Sequence, residues 1–428
     1  MNSTALTRAA PGKREAFRPH PFDAFAARSV RSRLAAIRHG QLRICEDGDE
    51  RSYGIATTAA SLTASVHVHD PRFWSELAFG GSIGAGEAYM QGYWSTDDLI
   101  ALARILLQNR GVLDGMETGL ARVAKPMQKA LHWLNRNSRA GSRRNIAAHY
   151  DLGNDFFRLF LDRSMMYSSA VFERPGMSLD DAQFARLDSI CRKLALGHGD
   201  HLLEIGTGWG GMAIHAAKHY GCRVTTTTLS REQYDLAAER IASEGLAGRI
   251  TLLLEDYRDL NGRFDKLVSI EMIEAVGHAY YDTYFAQCGR LLADDGLMLL
   301  QAITIADQRY ESACKSVDFI QRYIFPGSTI PSISVMLASI ARSTDMKLSH
   351  LEDIGPHYAT TLRHWRLNFL RNLDAVRAQH YPESFIRMWE FYLCYCEGGF
   401  EERAIGDVQM LLAKPGSRRA PLPPASMG

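Results

Sequence analysis

The chain has 428 residues, of which 46% are hydrophobic and 23% are charged. This mix is typical of globular proteins and excludes collagen-like, mucin-like and disordered chains. At about 100–200 residues per domain, the length predicts two or three domains. No stretch approaches the roughly 20 consecutive apolar residues that a membrane-spanning helix needs. The N-terminal residues lack the apolar core of a secretory signal, so we expect a cytoplasmic protein.

A net charge of +1 conceals two basic segments. Residues 1–40 contain eight Lys and Arg against Glu15 and Asp23, and residues 122–144 contain seven with no acid. Basic segments of this kind attract phosphate groups. Two interpretations stay open for the second segment, a solvated linker and a surface that docks on anionic lipid.

Residues 1–120 have the pattern of a small α+β domain. Alternating polar and apolar residues flank Asp47-Gly48 and predict a hairpin over 41–53. A further strand is predicted at 64–70 and a helix at 97–108, where acids occupy the first turn. The basic connector that follows contains an amphipathic helical pattern at 123–133. Such a helix fits a membrane surface or a packing site on its own protein equally well.

From residue 200 onward, apolar strand-like runs alternate with helical patterns. The strands are predicted at 201–205, 224–228, 250–254, 266–270 and 297–303, and the helices at 212–220, 231–244 and 281–292. This alternation predicts an α/β domain with a doubly wound, Rossmann-like parallel sheet. Residues 346–351 and 407–412 are predicted as a last pair of strands. The tail at 414–428 is rich in Pro, Ser and Arg and is predicted to be disordered.

A glycine-rich loop follows the first strand of this sheet. Gly206-x-Gly208-x-x-Gly211 matches the dinucleotide fingerprint. NAD is disfavoured because the second strand ends in threonines at 225–228, where an acid would bind the ribose. Glu204 instead precedes the loop, and residues 255–257 end the third strand with two acids and a tyrosine. A bare loop for the amino-acid part and a carboxylate with an aromatic ring for the adenine fit S-adenosylmethionine better.

Several segments together carry a family resemblance. They are HYDLGNDFF at 149–157, MYSSA at 166–170, EIGTGWGG at 204–211, TLS at 228–230 with Gln233, SIEMIEAVG at 269–277 and YIFPG at 323–327. With them the chain resembles the cyclopropane-fatty-acyl-phospholipid synthase family, which includes the mycolic acid cyclopropane synthases. The resemblance implies a lipid- or membrane-associated N-terminal domain at 1–120, a basic linker at 121–148, a methyltransferase catalytic domain at 149–413 and a tail at 414–428.

The resemblance also implies an activity and a set of site residues. The enzyme would transfer a methylene group from S-adenosylmethionine to the cis double bond of unsaturated phospholipid acyl chains, through a carbocation that a bound bicarbonate deprotonates. The implied cofactor-binding residues are Tyr167, Ser168, Gly206, Gly208, Trp209, Gly210, Thr228, Gln233, Tyr257 and Ile270. The implied bicarbonate pocket consists of the backbone at Ser169 and Ile303 and the side chains of Glu274, Gln301 and Tyr358. No metal and no nucleic acid are implied, and the expected assembly is a homodimer that binds reversibly to the inner face of the membrane.

Two positions depart from the family pattern. The family often has Cys where Ser169 stands and His where Gln301 stands, and Gln can donate a hydrogen bond but does not titrate near neutral pH. The fate of the carbocation therefore stays open between a ring and a methyl- or methylene-branched chain. A non-catalytic lipid-binding paralogue is a further alternative, whereas a nucleic-acid methyltransferase is disfavoured because the chain lacks an Asn/Asp-Pro-Pro-Tyr motif.

Aromatic faces can stabilise a carbocation without capturing it. The candidates are Tyr167, Tyr280, Tyr281, Tyr323, Phe325 and Tyr358. Two histidines near the motifs are expected to be structural or exposed rather than catalytic, His149 and His278.

Overall fold

The structure is a computed structural model, and it describes residues 21–58, 60–118 and 152–418. In chain order its α-helices are α1 Pro21–Leu34, α2 Arg72–Met90, α3 Leu99–Gln108, α4 Arg110–Thr118, α5 Asn154–Arg158, α6 Leu179–Lys193, α7 Gly211–His215, α8 Arg231–Ser243, α9 Tyr281–Leu291, α10 Asp307–Cys314, α11 Phe319–Tyr323, α12 Ile333–Ser343, α13 Gly355–Arg371, α14 Leu373–Ala378 and α15 Glu383–Glu401. Its strands are β1 Gly40–Glu46, β2 Asp49–Ile55, β3 Thr63–Val68, β4 Trp94–Thr96, β5 His201–Ile205, β6 Arg223–Thr227, β7 Ile250–Leu253, β8 Phe264–Ile270, β9 Leu292–Ile305, β10 Lys347–Asp353 and β11 Ile405–Ala413.

The chain forms two compact units that are interleaved along the sequence. The first comprises the described residues before 119 together with Ser316–Ile324 and Leu370–Ala404. The second comprises the described residues of Trp133–Lys315, Phe325–Phe369 and Ile405–Gly428. The predicted bounds of a catalytic domain at 149–413 differ from this division, in which α11, α14 and α15 belong to the first unit.

The first unit combines a four-stranded sheet, in the order β2-β1-β3-β4, with helices. The predicted hairpin is confirmed, since β1 and β2 pair antiparallel with Glu46 opposite Asp49. At its turn Asp47 and Gly48 have φ angles of 50° and 87°, which Asp and Gly tolerate best. The predicted helix at 97–108 is also confirmed, and Asp98 caps it by accepting hydrogen bonds from the N–H groups of Ile100 and Ala101.

The second unit is built on a seven-stranded sheet in the order β10-β11-β9-β8-β5-β6-β7. The strands from β9 to β7 pair parallel, and β11 pairs antiparallel with both β9 and β10. The doubly wound sheet and the final strand pair predicted from the sequence are therefore confirmed. Apolar clusters cover both faces of the sheet, which explains why the central strands read as continuous apolar runs.

Some boundaries differ from those predicted. The helix predicted at 212–220 divides into α7 and a π-helical turn at Ala216–Tyr220, and β9 begins five residues early. The predicted disordered tail is ordered at its start, because the Lys414 N–H donates to Gly296 and the Lys414 Nζ lies 2.5 Å from Asp345. Residues 419–428, the helical pattern at 123–133 and His149 lie outside the described residues. In the part of the chain that the structure describes, no helix is long and apolar enough to span a bilayer.

Candidate active site

The glycine-rich loop joins β5 to α7 at the carboxyl edge of the sheet. Gly206, Gly208 and Gly210 have φ angles of 100°, 51° and 87°, a region that glycine enters without steric cost. A Cβ atom on Gly208 would have no neighbour within 4 Å, so the backbone there borders open space. A Cβ on Gly211 would stand 2.8 Å from the carbonyl oxygen of Ser164, so this position needs glycine for packing.

The other predicted cofactor residues follow the neighbouring parallel strands. Thr228 follows β6, and its hydroxyl donates to Gln233 Oε1 at 2.9 Å. Ser230 caps α8 by accepting from the backbone N–H of Gln233, which fixes the start of the helix that carries this residue. Tyr257 comes after β7, and Ile270 is the last residue of β8. Carboxyl ends of parallel strands are where α/β sheets bind ligands.

Ser168 and Trp209 have different local roles. The Ser168 hydroxyl is buried and has no hydrogen-bond partner among the described residues, as expected of a group that awaits a ligand. The Trp209 ring is also buried, but its Nε1–H donates to Asn154 at 2.6 Å and its face packs on Phe157. The Trp209 side chain therefore packs within the protein and stabilises the loop, so a cofactor would contact this residue through its backbone.

The residues predicted to bind bicarbonate converge on a carboxylate of the chain itself. The Ser169 N–H donates to Glu271 Oε1 at 2.9 Å, and Gln301 Nε2 donates to the same oxygen at 2.7 Å. The Tyr358 hydroxyl donates to Glu271 Oε2 at 2.6 Å. The fifth predicted contact, the Ile303 N–H, donates to Glu274 Oε1 at 2.6 Å. The sequence interpretation thus placed these residues together correctly but missed Glu271 at their centre.

This arrangement does not fit a bicarbonate ion bound as predicted. Each donor assigned to the ion already binds a glutamate, and an isolated anion beside Glu271 would add a second negative charge in a buried site. In this structure the donors predicted for bicarbonate bind Glu271 and Glu274 instead.

Glu271 and Asp407 are the functional candidates that sequence reasoning missed. Glu271 has a φ angle of 48°, a conformation that non-glycine residues rarely adopt and that is often found at functional sites. Asp407 lies on β11 opposite Ile303, and its Oδ2 accepts from Gln301 at 3.2 Å. The available signals were a second glutamate three residues before Glu274 and one acid inside an otherwise apolar strand.

Burial and mutual repulsion govern the charges of these three carboxyl groups. Burial, with the nearby Glu271, raises the pKa of Glu274 to about 8. Burial and Glu271 also raise the pKa of Asp407 well above its ordinary range. Burial raises the pKa of Glu271 as well, but hydrogen bonds from Tyr358, Ser169 and Gln301 oppose that increase. Burial thus favours the neutral forms of Glu274 and Asp407, whereas the three hydrogen bonds favour the ionised form of Glu271.

Two buried groups support this charge distribution. The fully enclosed Arg186 donates twice to Gln183 Oε1, and its positive charge favours the ionised form of Glu271. The amide of Gln301 is oriented by Gln409, whose Nε2 donates to Gln301 Oε1 at 3.0 Å. With its oxygen engaged in this way, Gln301 must direct its NH₂ group toward Glu271 and Asp407.

An aromatic cluster adjoins the carboxylates. The Tyr358 ring lies 6.1 Å from Trp365, which lies 5.2 Å from Tyr167, and Tyr167 in turn lies 5.4 Å from Phe157 and 6.1 Å from Phe325. Three predicted aromatic candidates, Tyr167, Phe325 and Tyr358, are thus brought together.

The other predicted aromatic candidates lie outside this aromatic cluster. Tyr281 donates to the Thr329 carbonyl and is part of the sheet core, against which Tyr280 packs. Tyr323 lies in the first unit, where its hydroxyl donates to Glu87. His278 is exposed, as predicted.

Comparison with known proteins identifies the family. Residues 137–410 match the family described as mycolic acid cyclopropane synthetase. The chain belongs to this family. It is 37% identical over 385 residues to the tuberculostearic acid methyltransferase of Mycobacterium tuberculosis, covering 85% of this chain and 87% of that protein. It is also 37% identical over 371 residues to the cyclopropane-fatty-acyl-phospholipid synthase of Escherichia coli K12, covering 84% and 90%.

Solved structures of the family share its fold. A cyclopropane synthase of Mycobacterium tuberculosis is 33% identical, with a TM-score of 0.59 over 64% of this chain and 98% of its own. A mycolic acid cyclopropane synthase complexed with SAH and CTAB is also 33% identical, with a TM-score of 0.60 and the same coverage. The protein is an S-adenosylmethionine-dependent methyltransferase of the cyclopropane fatty acid synthase family, and its seven-stranded sheet is the methyltransferase fold of these enzymes.

Proposed function

We propose that this enzyme transfers one carbon from S-adenosylmethionine to the cis double bond of unsaturated phospholipid acyl chains and closes a cyclopropane ring. The observation that carries the proposal is the aromatic cluster that ends, through Tyr358, at a buried carboxylate. Aromatic rings beside a carboxylate suit a reaction in which a carbocation forms and then loses a proton.

An alkene is a poor nucleophile, so the enzyme must place it well and stabilise the cation that develops. The faces of Tyr167, Phe325 and Trp365 supply negative quadrupoles for this purpose and contain no group that would trap the cation. The reaction also requires that water be kept from the cation, because water would convert it to an alcohol.

The residues present fit the cofactor on two grounds. The uncovered backbone at Gly208 offers close approach, and the buried, unpartnered Ser168 hydroxyl offers a hydrogen bond. When bound, S-adenosylmethionine supplies an electrophilic methyl group on a sulfonium. Thr228, Gln233, Tyr257 and the other predicted residues after the parallel strands would orient it.

Phospholipid acyl chains are the favoured substrate because of how far the relatives extend. The Escherichia coli phospholipid enzyme covers 84% of this chain, including most of the first unit, whereas cyclopropane mycolic acid synthase 1 covers 62%. The complex of a similar synthase with SAH and CTAB, a molecule with a long alkyl chain, supports an acyl-chain site. Reversible docking on the inner membrane face through the basic segments, and a homodimer, remain parts of the proposal.

A methyl- or methylene-branched product is the second candidate. The tuberculostearic acid methyltransferase matches this chain as well as the Escherichia coli enzyme does. Both outcomes share the methyl transfer and the cation. They separate afterwards, because a hydride shift before proton loss gives a branch in place of a ring.

Methyl transfer, the step that both candidate functions share, is tested with two kinds of vesicle that differ only in the cis double bond of their acyl chains. Purified protein with methyl-deuterated S-adenosylmethionine should label the acyl chains of a phospholipid with one cis double bond and leave the saturated phospholipid unlabelled, as measured by mass spectrometry. Labelling of neither vesicle, with binding of SAH intact by calorimetry, would contradict the proposed function and favour a lipid-binding protein.

A further inference from the structure

We propose that the carboxylate of Glu271 occupies the place expected for bicarbonate and is itself the base that removes the proton. The inference rests on the proposed function, since it assigns the last step of that reaction. It replaces an external anion with a side chain, so the enzyme would work without bicarbonate.

The hydrogen bonds identify Glu271 as the anion of this pocket. Three donors from distant parts of the sequence, the Ser169 N–H, Gln301 and Tyr358, meet on its two oxygens within 2.9 Å. A planar carboxylate presents the same pair of oxygens that a bicarbonate ion would. The pocket therefore already contains the group that its donors are arranged to bind.

Position distinguishes Glu271 from its neighbours. Its Oε2 accepts from the Tyr358 hydroxyl, and the Tyr358 ring lies 6.1 Å from Trp365 in the aromatic cluster, whereas Glu274 Oε1 accepts from the Ile303 N–H. A base must lie close to the proton that it removes, and Glu271 is the carboxyl group that is hydrogen-bonded directly to this cluster. Glu274, held by the Ile303 N–H, is better placed to position Glu271 than to touch a substrate.

The charges of the surroundings support the same assignment. Arg186 is completely buried, and its Nη1 has no hydrogen-bond partner among the described residues, so its charge is weakly screened. Burial raises the pKa values of Glu274 and Asp407, and the positive charge of Arg186 favours the ionised form of Glu271. A bicarbonate ion added to this set would have no counter-charge.

The backbone gives an independent indication. Glu271 adopts a left-handed conformation, which a β-carbon disfavours, directly after β8. Residues are held in such conformations where the surroundings enforce them, and here the result is to direct the carboxylate at its three donors.

The proposed step balances without a further reagent. The methyl C–S bond breaks with its electron pair left on sulfur, which departs as a neutral thioether. The alkene electron pair bonds the methyl carbon to one alkene carbon, which leaves the cation on the other carbon. Glu271 takes a proton from the new methyl group, and the electron pair of that C–H bond forms the third bond of the ring. The proton passes from Glu271 to solvent once the product has left, and the carboxylate is restored.

Removal of bicarbonate is the first arm of the test. In CO₂-free buffer, wild-type turnover on cis-unsaturated vesicles should stay within twofold of the rate with 10 mM bicarbonate. A tenfold or greater loss that added bicarbonate restores would overturn the assignment while leaving the proposed function intact. Absence of label under both conditions would instead contradict the proposed function itself, so the two failures are distinguishable.

Substitution of Glu271 is the second arm. Glu271→Gln should lose at least 100-fold in turnover while SAH binding by calorimetry is retained. Glu271→Gly removes the carboxylate at a backbone position that glycine adopts without strain, so it should fold, and it should bind ¹³C-bicarbonate by NMR where the wild type does not. Glu397→Gln, which neutralises a buried carboxyl in the first unit, is the control for loss of a buried charge. Wild-type turnover in Glu271→Gln, or bicarbonate binding to the wild type in this pocket, would refute the proposal.

Discussion

At the scale of single residues, the site depends on groups that are distant in sequence and meet on one carboxylate. Ser169 follows α5, Gln301 lies in β9, Tyr358 lies in α13, and all three donate to Glu271. The sequence predicted the three donors through the family resemblance. It could not predict their acceptor, because the choice between Glu271 and an external ion depends on a left-handed backbone angle that no local pattern encodes.

Tyr358→Phe tests how the pocket sets the charge on Glu271. The hydroxyl lowers the pKa of Glu271, so its loss should raise that pKa. Activity needs the ionised carboxylate and is lost as the pH falls through its pKa, so the acid limb of the pH–rate profile should move to higher pH. A hydrogen bond to a charged group is worth about 1.5–3 kcal/mol, which corresponds to a roughly 10- to 100-fold loss of turnover near neutral pH.

Tyr220→Phe is the control for this experiment, because that hydroxyl is bonded to Asp188 at 2.6 Å and has no contact with the carboxylate pocket. Its acid limb should coincide with that of the wild type. An unshifted limb in Tyr358→Phe would mean that the group that titrates is not Glu271.

At the scale of elements, helix caps position the cofactor side of the site. The order of β5 to β9 and their helices was predictable, because the apolar runs and capping residues specify it locally. Ser178 and Ser230 cap α6 and α8 by accepting from the N–H groups of Asp181 and Gln233. The π-helical turn at Ala216–Tyr220 and the assignment of α15 to the first unit were not predictable, because both depend on packing between distant segments.

Ser230→Ala separates the structural from the positioning role of the α8 cap. Loss of this cap should lower the free energy of unfolding by about 1 kcal/mol in urea titrations. Because the cap also fixes Gln233, binding of S-adenosylmethionine should weaken several-fold. Ser178→Ala removes the equivalent cap from α6 and should cost similar stability with unchanged cofactor affinity. Equal affinities in both variants would show that Gln233 has no role in cofactor binding.

At the scale of the whole molecule, the chain forms two interleaved units and is longer than the mycolic acid enzymes. Those enzymes match 64% of this chain. The second unit contains the glycine loop, the aromatic cluster and the carboxylate pocket. The first unit includes Ser316–Ile324, which the sequence assigned to the catalytic domain, so the two units cannot be separated by a single cut in the chain. The relatives that match 85% and 84% of this chain are a tuberculostearic acid methyltransferase and a cyclopropane-fatty-acyl-phospholipid synthase.

The structure of the labelled product tests the central claim most directly. Wild-type enzyme, methyl-deuterated S-adenosylmethionine and cis-unsaturated phospholipid vesicles should give fatty acids that retain two deuterium atoms and show upfield ring protons by NMR. That result requires loss of one methyl proton to a base beside the cation, as the Glu271 pocket provides. Three deuterium atoms in a methyl branch, or two in an exocyclic methylene group, would contradict ring closure and make the branched-chain activity the function of this protein.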